Sequence, residues 1–263
     1  MILMLDVVQE HACSYLPDRV ARMRYRLMPD CPPATYEKLV SRGWRRFGAT
    51  LFRPTCRRCD ECLGLRLDVA TFEPNRSQRR ALRRNTDLTI VLRRASISDE
   101  HLDLYDRYHT DMAERRGWEE KVFDAEGYHA TFVAGGDPFA HELLYYDGTR
   151  LLGVALVDIL PSSLSAVYCY YDPAERQRGI GVFSVLAQVE LARQYGIPYV
   201  YLGYWIEENR SMAYKSRYRP HQILAGRPRL EEEPDWRDGD EYRAWRESDE
   251  TTSDRPVLVE AAG

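Results

Sequence analysis

Three cysteines within seven residues, Cys56, Cys59 and Cys62, constrain this chain more than any other feature of its sequence. They lie in R-P-T-C-R-R-C-D-E-C-L-G-L-R, residues 53–66, at two equal C-x-x-C spacings. Such spacing lets one tight loop turn several thiolates toward a common centre, as zinc and iron–sulfur sites require. A tetrahedral or cluster site wants a fourth soft ligand. Cys13, in H-A-C-S-Y-L-P, is its natural source, with Cys31 in the loop 29–33 as the competitor. The bland alternative is that these cysteines are small buried hydrophobes. That suits an apolar context such as the strand around Cys169, and not a loop this rich in arginine. Zinc and iron–sulfur fit the spacing equally.

Charge is divided along the chain. Residues 13–94 hold 19 Arg or Lys against 8 Asp or Glu, whereas residues 231–263 hold 12 acids against 4 arginines. The overall net charge of −4 therefore conceals a basic half with the electrostatics of a nucleic-acid binder. Within it, Arg76–Asn85 carries five arginines and no acid, with Gln78 and Asn85 as further donors. A solvated helix face is the ordinary meaning of such a run, and a phosphate-bearing partner the sharper one. No apolar run approaches the roughly 20 residues of a membrane span; the longest, Leu151 to Leu160, is interrupted by Asp158. The first residues lack a basic start and a small-residue cleavage site, so a cytoplasmic protein is expected, where cysteines serve metal or redox roles more than disulfides.

Hydrophobic periodicity divides the chain into two domains and a tail. Residues 1–95 read as a mixed α/β domain: an extended entry, a strand over Arg19–Met28, a helix over Tyr36–Arg42 capped by Thr35, and extended chain to Pro54. A strand through Leu65, Leu67 and Val69 follows, then a short helix over Ser77–Asn85 capped by Asn75 or Ser77, and a strand at Leu88–Leu92. Residues 96–229 open with a helix over Asp99–Arg116. An antiparallel meander follows, His141–Tyr146, Leu151–Leu160 and Leu164–Tyr171. A loop, a helix Val182–Tyr195, a strand Tyr199–Trp205, a helix Glu208–Tyr218 and a last strand at Gln222–Leu224 complete it. Residues 230–263, acidic and aromatic-poor, read as a mobile tail.

The loop between meander and helix contains Arg176-Gln177-Arg178-Gly179-Ile180-Gly181. It matches the [R/Q]-x-x-G-x-[G/A] turn with which acetyltransferases of the GNAT superfamily wrap a pyrophosphate. The glycines let backbone N–H groups approach an anion at a helix N-terminus. Meander, loop, helix, strand and helix are also the GNAT order, so an α+β chain with a C-terminal GNAT-like acyltransferase domain is expected.

Several motifs together carry a wider resemblance: C-S-Y-L-P at Cys13–Pro17, R-P-T-C-R-R-C-D-E-C at Arg53–Cys62, and F-E-P-N-R-S-Q-R-R at Phe72–Arg80. They continue with R-R-N at Arg83–Asn85, Y-Y-D-P at Tyr170–Pro173, Y-V-Y-L-G-Y-W-I at Tyr199–Ile206 and S-M-A-Y-K-S-R-Y-R-P at Ser211–Pro220. Over residues 11–225 the chain resembles the aminoacyl-tRNA–protein transferases, arginyl and bacterial leucyl. The spaced cysteine triplet looks like the bacterial form. The resemblance implies transfer of an amino acid, leucine before arginine, from aminoacyl-tRNA to the N-terminal Asp or Glu of acceptor proteins, marking them for degradation.

An aminoacyl ester is already activated, so this chemistry requires no cofactor. Motif position offers Asp172, Tyr204, Tyr214 and Lys215 for the reacting centre. Asp172 would hold the amine, and Tyr214 or Lys215 would assist the leaving oxygen or hold the terminal phosphate. Binding of tRNA or acceptor falls to Arg53, Arg66, Arg76, Gln78, Arg79, Arg80 and Arg83, to the loop residues Arg178, Gly179 and Gly181, and to Arg217. The Cys13, Cys56, Cys59 and Cys62 quartet then becomes a metal or iron–sulfur clasp positioning these arginines. Two rivals remain: an acetyl-CoA-dependent GNAT N-acetyltransferase, and a non-catalytic zinc-containing RNA-binding protein.

Overall fold

In the computed structural model, residues 5–119 and 123–250 are described, with side chains to Arg246. Short alternating segments near the N-terminus form a four-stranded antiparallel sheet, β1 (Leu5–Ala12), β2 (Val20–Leu27), β4 (Thr50–Pro54) and β3 (Arg45–Phe47), in that order. The helix α1 (Pro33–Val40) joins β2 to β3 and buries Tyr36, Leu39 and Val40. Its N-cap is Pro32 and no side chain caps it, so the expected Thr35 cap is corrected; proline's fixed φ is already suited to a first helical turn.

The larger sheet has eight strands in the order β12-β11-β5-β10-β9-β8-β7-β6. Their ranges are β5 (Leu63–Asp68), β6 (Thr89–Arg94), β7 (Ala140–Asp147), β8 (Arg150–Ile159), β9 (Ser163–Tyr171), β10 (Tyr199–Trp205), β11 (Gln222–Leu224) and β12 (Trp236–Asp238). The meander β7-β8-β9 stands as the alternation requires, and β9 with β10 is the one parallel pair among the described residues. β5 and β6, although they precede residue 96, are strands of this sheet, on either side of the meander. On one face lies α5 (Ile180–Gln194), packed with Leu65, Leu152, Leu164 and Val200. On the other lies α3 (Asp99–Arg116), whose Leu104, Tyr105 and Met112 meet Leu144, Leu156 and Tyr170. Between β6 and α5 the chain also forms α4 (Ala125–Tyr128), continued by one π turn, His129–Val133. The helix α2 (Arg76–Arg83) starts with a capping box between Asn75 and Gln78.

Two expectations change. Glu208–Tyr218 holds only a tight 3₁₀ turn, Ala213–Arg217, because Asn209 spends its side chain on the Tyr15 carbonyl (2.7 Å) and the Ser211 N–H (2.9 Å). Such local bonds compete with a helical ladder. Residues 230–250 do not behave as a mobile tail: they form β12 and α6 (Gly239–Glu250). Two aromatics outweigh the acidic composition. Trp236 packs on Tyr201 at 5.4 Å and gives Nε1 to the Ser41 carbonyl at 3.0 Å, and Tyr242 is buried in the main core. The remainder of that segment, 251–263, lies outside the described residues.

A buried ion pair ties the small sheet to the large one. Arg46 on β3 meets Asp158 on β8 through the Nε–Nη2 edge of its guanidinium, Nε at 2.9 Å, while the Tyr36 hydroxyl donates to Asp158 at 2.9 Å. Breaking such a pair from one side leaves a buried charge uncompensated, at a cost of about 3–5 kcal/mol. Asp158→Asn is therefore expected to lose roughly that much stability in denaturant unfolding, and a loss under about 1 kcal/mol would show the pair to be dispensable.

Candidate functional site

The two central strands separate in mid-course. β9 and β10 pair only through Tyr199–Ser163, Val200–Leu164 and Tyr201–Ser165. Just beyond, each strand carries an extra residue: Val167 where β9 faces β8, and Leu202 where β10 faces β5. Bulges bend a strand and increase its twist, and two at the same level turn the strands apart. Gly203, at φ +85°, accommodates the second one. The outcome shows in burial: Ala166, Val167, Tyr168 and Cys169 are partly exposed in the middle of an eight-stranded sheet. A wedge opens there.

Around the wedge the residues named by the motifs take different stations. Lys215 is buried at its apex, giving Nζ to the Tyr204 carbonyl at 2.7 Å. Burial and the neighbouring Arg45 push its pKa down to about 7, against a smaller opposing effect from Cys62. Tyr204 is buried too and donates its hydroxyl to the Gly43 carbonyl at 2.7 Å, a tie between sheets. Tyr214 is 40% exposed, with its ring edge toward Tyr218. Asp172 closes β9, accepts from the Ala174 N–H and pairs with Arg107 at 2.9 Å. Burial raises its pKa, but those hydrogen bonds outweigh it and hold the carboxyl below the usual range. It opens onto a groove of about 550 Å³ between α3 and the turn Pro173–Arg178, walled by Asp103, Asp106, Asp111 and Glu114. No contact among the described residues joins Asp172 to Lys215, so the two belong to different parts of the site.

The arginines divide in the same way. Arg76, Arg79, Arg80 and Arg83 are exposed on α2 and no carboxylate among the described residues pairs with them. Gln78 is buried, completing the cap and bonding the Arg217 carbonyl at 3.2 Å, which places exposed Arg217 beside α2. Arg178 faces inward to Asp87, Asp147 and Glu175, and Gly179 lets the chain turn at φ +71° into α5. At Gly181 a Cβ would stand 3.6 Å from the Tyr171 ring. Arg53 is committed to the Pro228 carbonyl at 2.9 Å and stacks over Trp44. Arg66 bonds Gln222 at 2.7 Å and lies 3.8 Å over Tyr199. Arg53, Arg66 and Arg178 thus brace the fold, leaving α2 and Arg217 as the free basic strip.

The sequence reading missed Arg45. It occupies β3 next to Arg46, is buried, and stands beside Lys215. The available signal was two arginines in W-R-R-F, charges inside an otherwise apolar strand.

The cysteines gather behind the apex. Cys13, Cys59 and Cys62 pack with Leu16, Tyr204 and Ile206, and Cys31 lies elsewhere, in the core around α1. The Cys62 thiol is pushed up to about 12 by burial and by Cys56, Cys59 and Cys13 nearby. Arg19 donates to Cys59 Sγ and the Arg22 N–H to Cys56 Sγ, both at 3.3 Å, as donors around thiolates do. Four thiols with such donors are the chemistry of a soft ion or cluster. In this arrangement no three metal-ligating groups among the described residues converge on one point.

Comparison with known proteins follows these contours. Residues 11–80 match the family model described as arginine-tRNA-protein transferase, N terminus, and residues 100–225 match its C-terminus model. The aspartate/glutamate leucyltransferase of Campylobacter jejuni (serotype O:2 strain) is 39% identical over 221 residues, covering 84% of this chain and 92% of that protein. Those of Helicobacter hepaticus and Pseudomonas aeruginosa (strain LESB58) are 35% and 40% identical, covering 87% and 82% of this chain and 95% and 91% of theirs. Among solved structures, FemX superposes with a TM-score of 0.43 at 10% identity, over 76% of this chain and 79% of that one. Among the described residues no helix is long and apolar enough to cross a membrane.

Lys215 yields a pH test. A lysine whose folded-state pKa lies below its unfolded value binds fewer protons when folded, so stability rises with pH between the two values. Relative to Lys215→Met, the intact protein is expected to gain stability from pH 7 to pH 10, by up to about 1.4 kcal/mol per pH unit. Denaturant midpoints of the two proteins across that range check it; parallel curves would place Lys215 in water.

Proposed function

Because the chain belongs to the aminoacyl-tRNA–protein transferase family, we propose that it moves leucine from leucyl-tRNA to the N-terminal Asp or Glu of a protein. The observations that support this reading are the wedge, a central strand with an open edge, and an acid-free basic helix tied through Gln78 to the Arg217 carbonyl, two residues from Lys215. In the reaction the acceptor's α-amine attacks the ester carbonyl, a C–N bond forms, and the C–O bond to the tRNA ribose breaks. The amine's proton leaves with the ribose oxygen or to water. Backbone N–H groups of β9 beyond Ser165, freed from any ladder with β10, are suited to the developing oxyanion.

The exposed arginines of α2 and Arg217 form the track for the tRNA acceptor end. Alanine at both Arg79 and Arg83 is expected to weaken tRNA binding and flatten its log–log salt slope by about one per arginine. Arg178→Ala is expected to lower melting temperature and leave the slope unchanged, since Arg178 already spends its charge on three carboxylates. Filter binding over a salt series checks both.

The donor assignment rests on the names of the relatives and on the spaced cysteine triplet. Incubation with leucyl-tRNA, arginyl-tRNA or acetyl-CoA and a peptide beginning with Asp, read by mass, tests it. A leucine added to the peptide is expected; an acetyl shift, or tRNA retained with no shift, overturns the transferase reading.

The thiol quartet is the proposed place of a zinc ion or iron–sulfur cluster held by Cys13, Cys56, Cys59 and Cys62. Bound there, it would cross-link the Cys13 turn to the cysteine loop. Metal analysis and visible absorption of anaerobically purified protein distinguish the two, and Cys59→Ala is expected to lose the metal.

A further inference from the structure

Where β9 and β10 part, the fold buries two cations and gives them no counter-ion. Arg45 is 7% exposed, lies 5.6 Å over the Tyr201 ring and gives Nη1 to Ser165 Oγ at 3.3 Å. Its Nε and Nη2 are buried and meet no acceptor among the described residues. Lys215 is 8% exposed and is held by the Tyr204 carbonyl and Met212 Sδ, neither of them charged. Gly203 stands between the two: a Cβ built there would lie 3.4 Å from Lys215 Nζ and 3.7 Å from Arg45 Nε. Asp158 is the carboxylate that acts on Arg45, and its oxygens are occupied by Arg46 and Tyr36. Like charges buried together without an anion are strongly unfavourable, so this nook is shaped for one.

We propose that Arg45 and Lys215 together bind the side-chain carboxylate of the acceptor's N-terminal Asp or Glu, in the space left free by Gly203. The proposal rests on the transferase reading above and names the residues that would select its acceptor. Nε and Nη2 form the side-on edge of a guanidinium, which takes a carboxylate through two parallel hydrogen bonds. The nook is on the face of Tyr201, α1 and β4, opposite α5. The helix α2, which carries the exposed arginines, packs on α5, so donor and acceptor would approach the wedge from different faces. Arg45 and Lys215 are both buried, a setting for a single carboxylate side chain, whereas a phosphodiester backbone needs an open track. With the carboxylate seated beside Ser165, the α-amine of the same residue is directed along the open edge of β9.

Calorimetry without tRNA provides a test independent of transfer. The intact protein is expected to bind a peptide beginning with Asp or Glu in preference to its Asn or Gln counterpart by about tenfold or more. Arg45→Gln is expected to abolish that preference, Arg45→Lys to restore part of it, and Gly203→Ala, which fills the gap, to lose it as well. In transfer assays Arg45→Gln is expected to raise KM for the Asp peptide about tenfold or more while KM for leucyl-tRNA stays unchanged. Where Arg45→Gln does not fold, Lys215→Gln takes its place in both assays. A variant that keeps the Asp-over-Asn preference overturns the proposal. So does one that raises KM for leucyl-tRNA instead, which would assign the cations to a tRNA phosphate. Should the intact protein bind Asp peptides selectively yet transfer no leucine, the carboxylate site stands and the transferase reading falls.

Discussion

The buried contact between Arg46 and Asp158 governs how the two sheets meet, and most of the site inherits its geometry from it. Asp158 and Ser165 are register partners on β8 and β9. Arg46 takes the first and its neighbour Arg45 takes the second, so two consecutive residues of a three-residue strand span the centre of the large sheet. The ion pair is weak evidence for net stability, since desolvating both charges offsets most of their attraction. What it supplies is registration. Tyr36 adds a hydroxyl to the same carboxylate from α1, so helix and strand of the small unit are fixed to one point. Phe139 and Leu160 surround that point, keeping it dry.

The wedge depends on this anchoring. A parallel pair that bulges on both sides would gape or slide unless something held its closed end. Glu37 on α1 holds that end by accepting from the Ser162 N–H and the Ser163 hydroxyl, both at 2.8 Å. From the other edge, Arg66 clamps β5, β10 and β12 through Tyr199, Tyr201 and Trp236. The strands are therefore pinned through residue 165 and free to diverge beyond it. The cleft is a consequence of where the fastening stops.

Much of this was legible in the sequence because it rests on local signals. The meander, α3, α5, β10 and the Asn75 cap follow from periodicity and capping chemistry, and the order of meander, loop, helix and strand follows from them. Of the two thiols offered as a fourth ligand, Cys13 lies in the cluster of Cys59 and Cys62, and Cys31 lies in the core around α1. What was hidden depends on long-range placement. Exposure of an arginine is not written in its neighbours: Arg53, Arg66 and Arg178 look like Arg79 and Arg83 in composition, yet they face aromatics and carboxylates. Bulges leave no trace in an apolar strand beyond Gly203. In 230–250, averaging charge over the whole segment concealed Trp236 and Tyr242, and two aromatics suffice to dock a short strand and helix.

The cysteine loop sits close to Lys215, and its connections explain how a remote-looking motif comes to lie there. Cys62 shares a cluster with Tyr204, and Met212, in the same cluster, touches Lys215 Nζ at 3.2 Å. The loop is held from outside as well: Arg227 grips the Cys56 and Cys59 carbonyls at 2.7 and 2.6 Å, and Arg246 of α6 pairs with Glu61 at 2.5 Å. A loop with so few apolar residues has little core of its own, so its shape must come from such ties or from a bound ion. A change in thiol spacing would be passed through Met212 and the Tyr204 carbonyl to the lysine at the apex. Residues 230–246 are thus part of the structure that supports the cysteine loop beside Lys215.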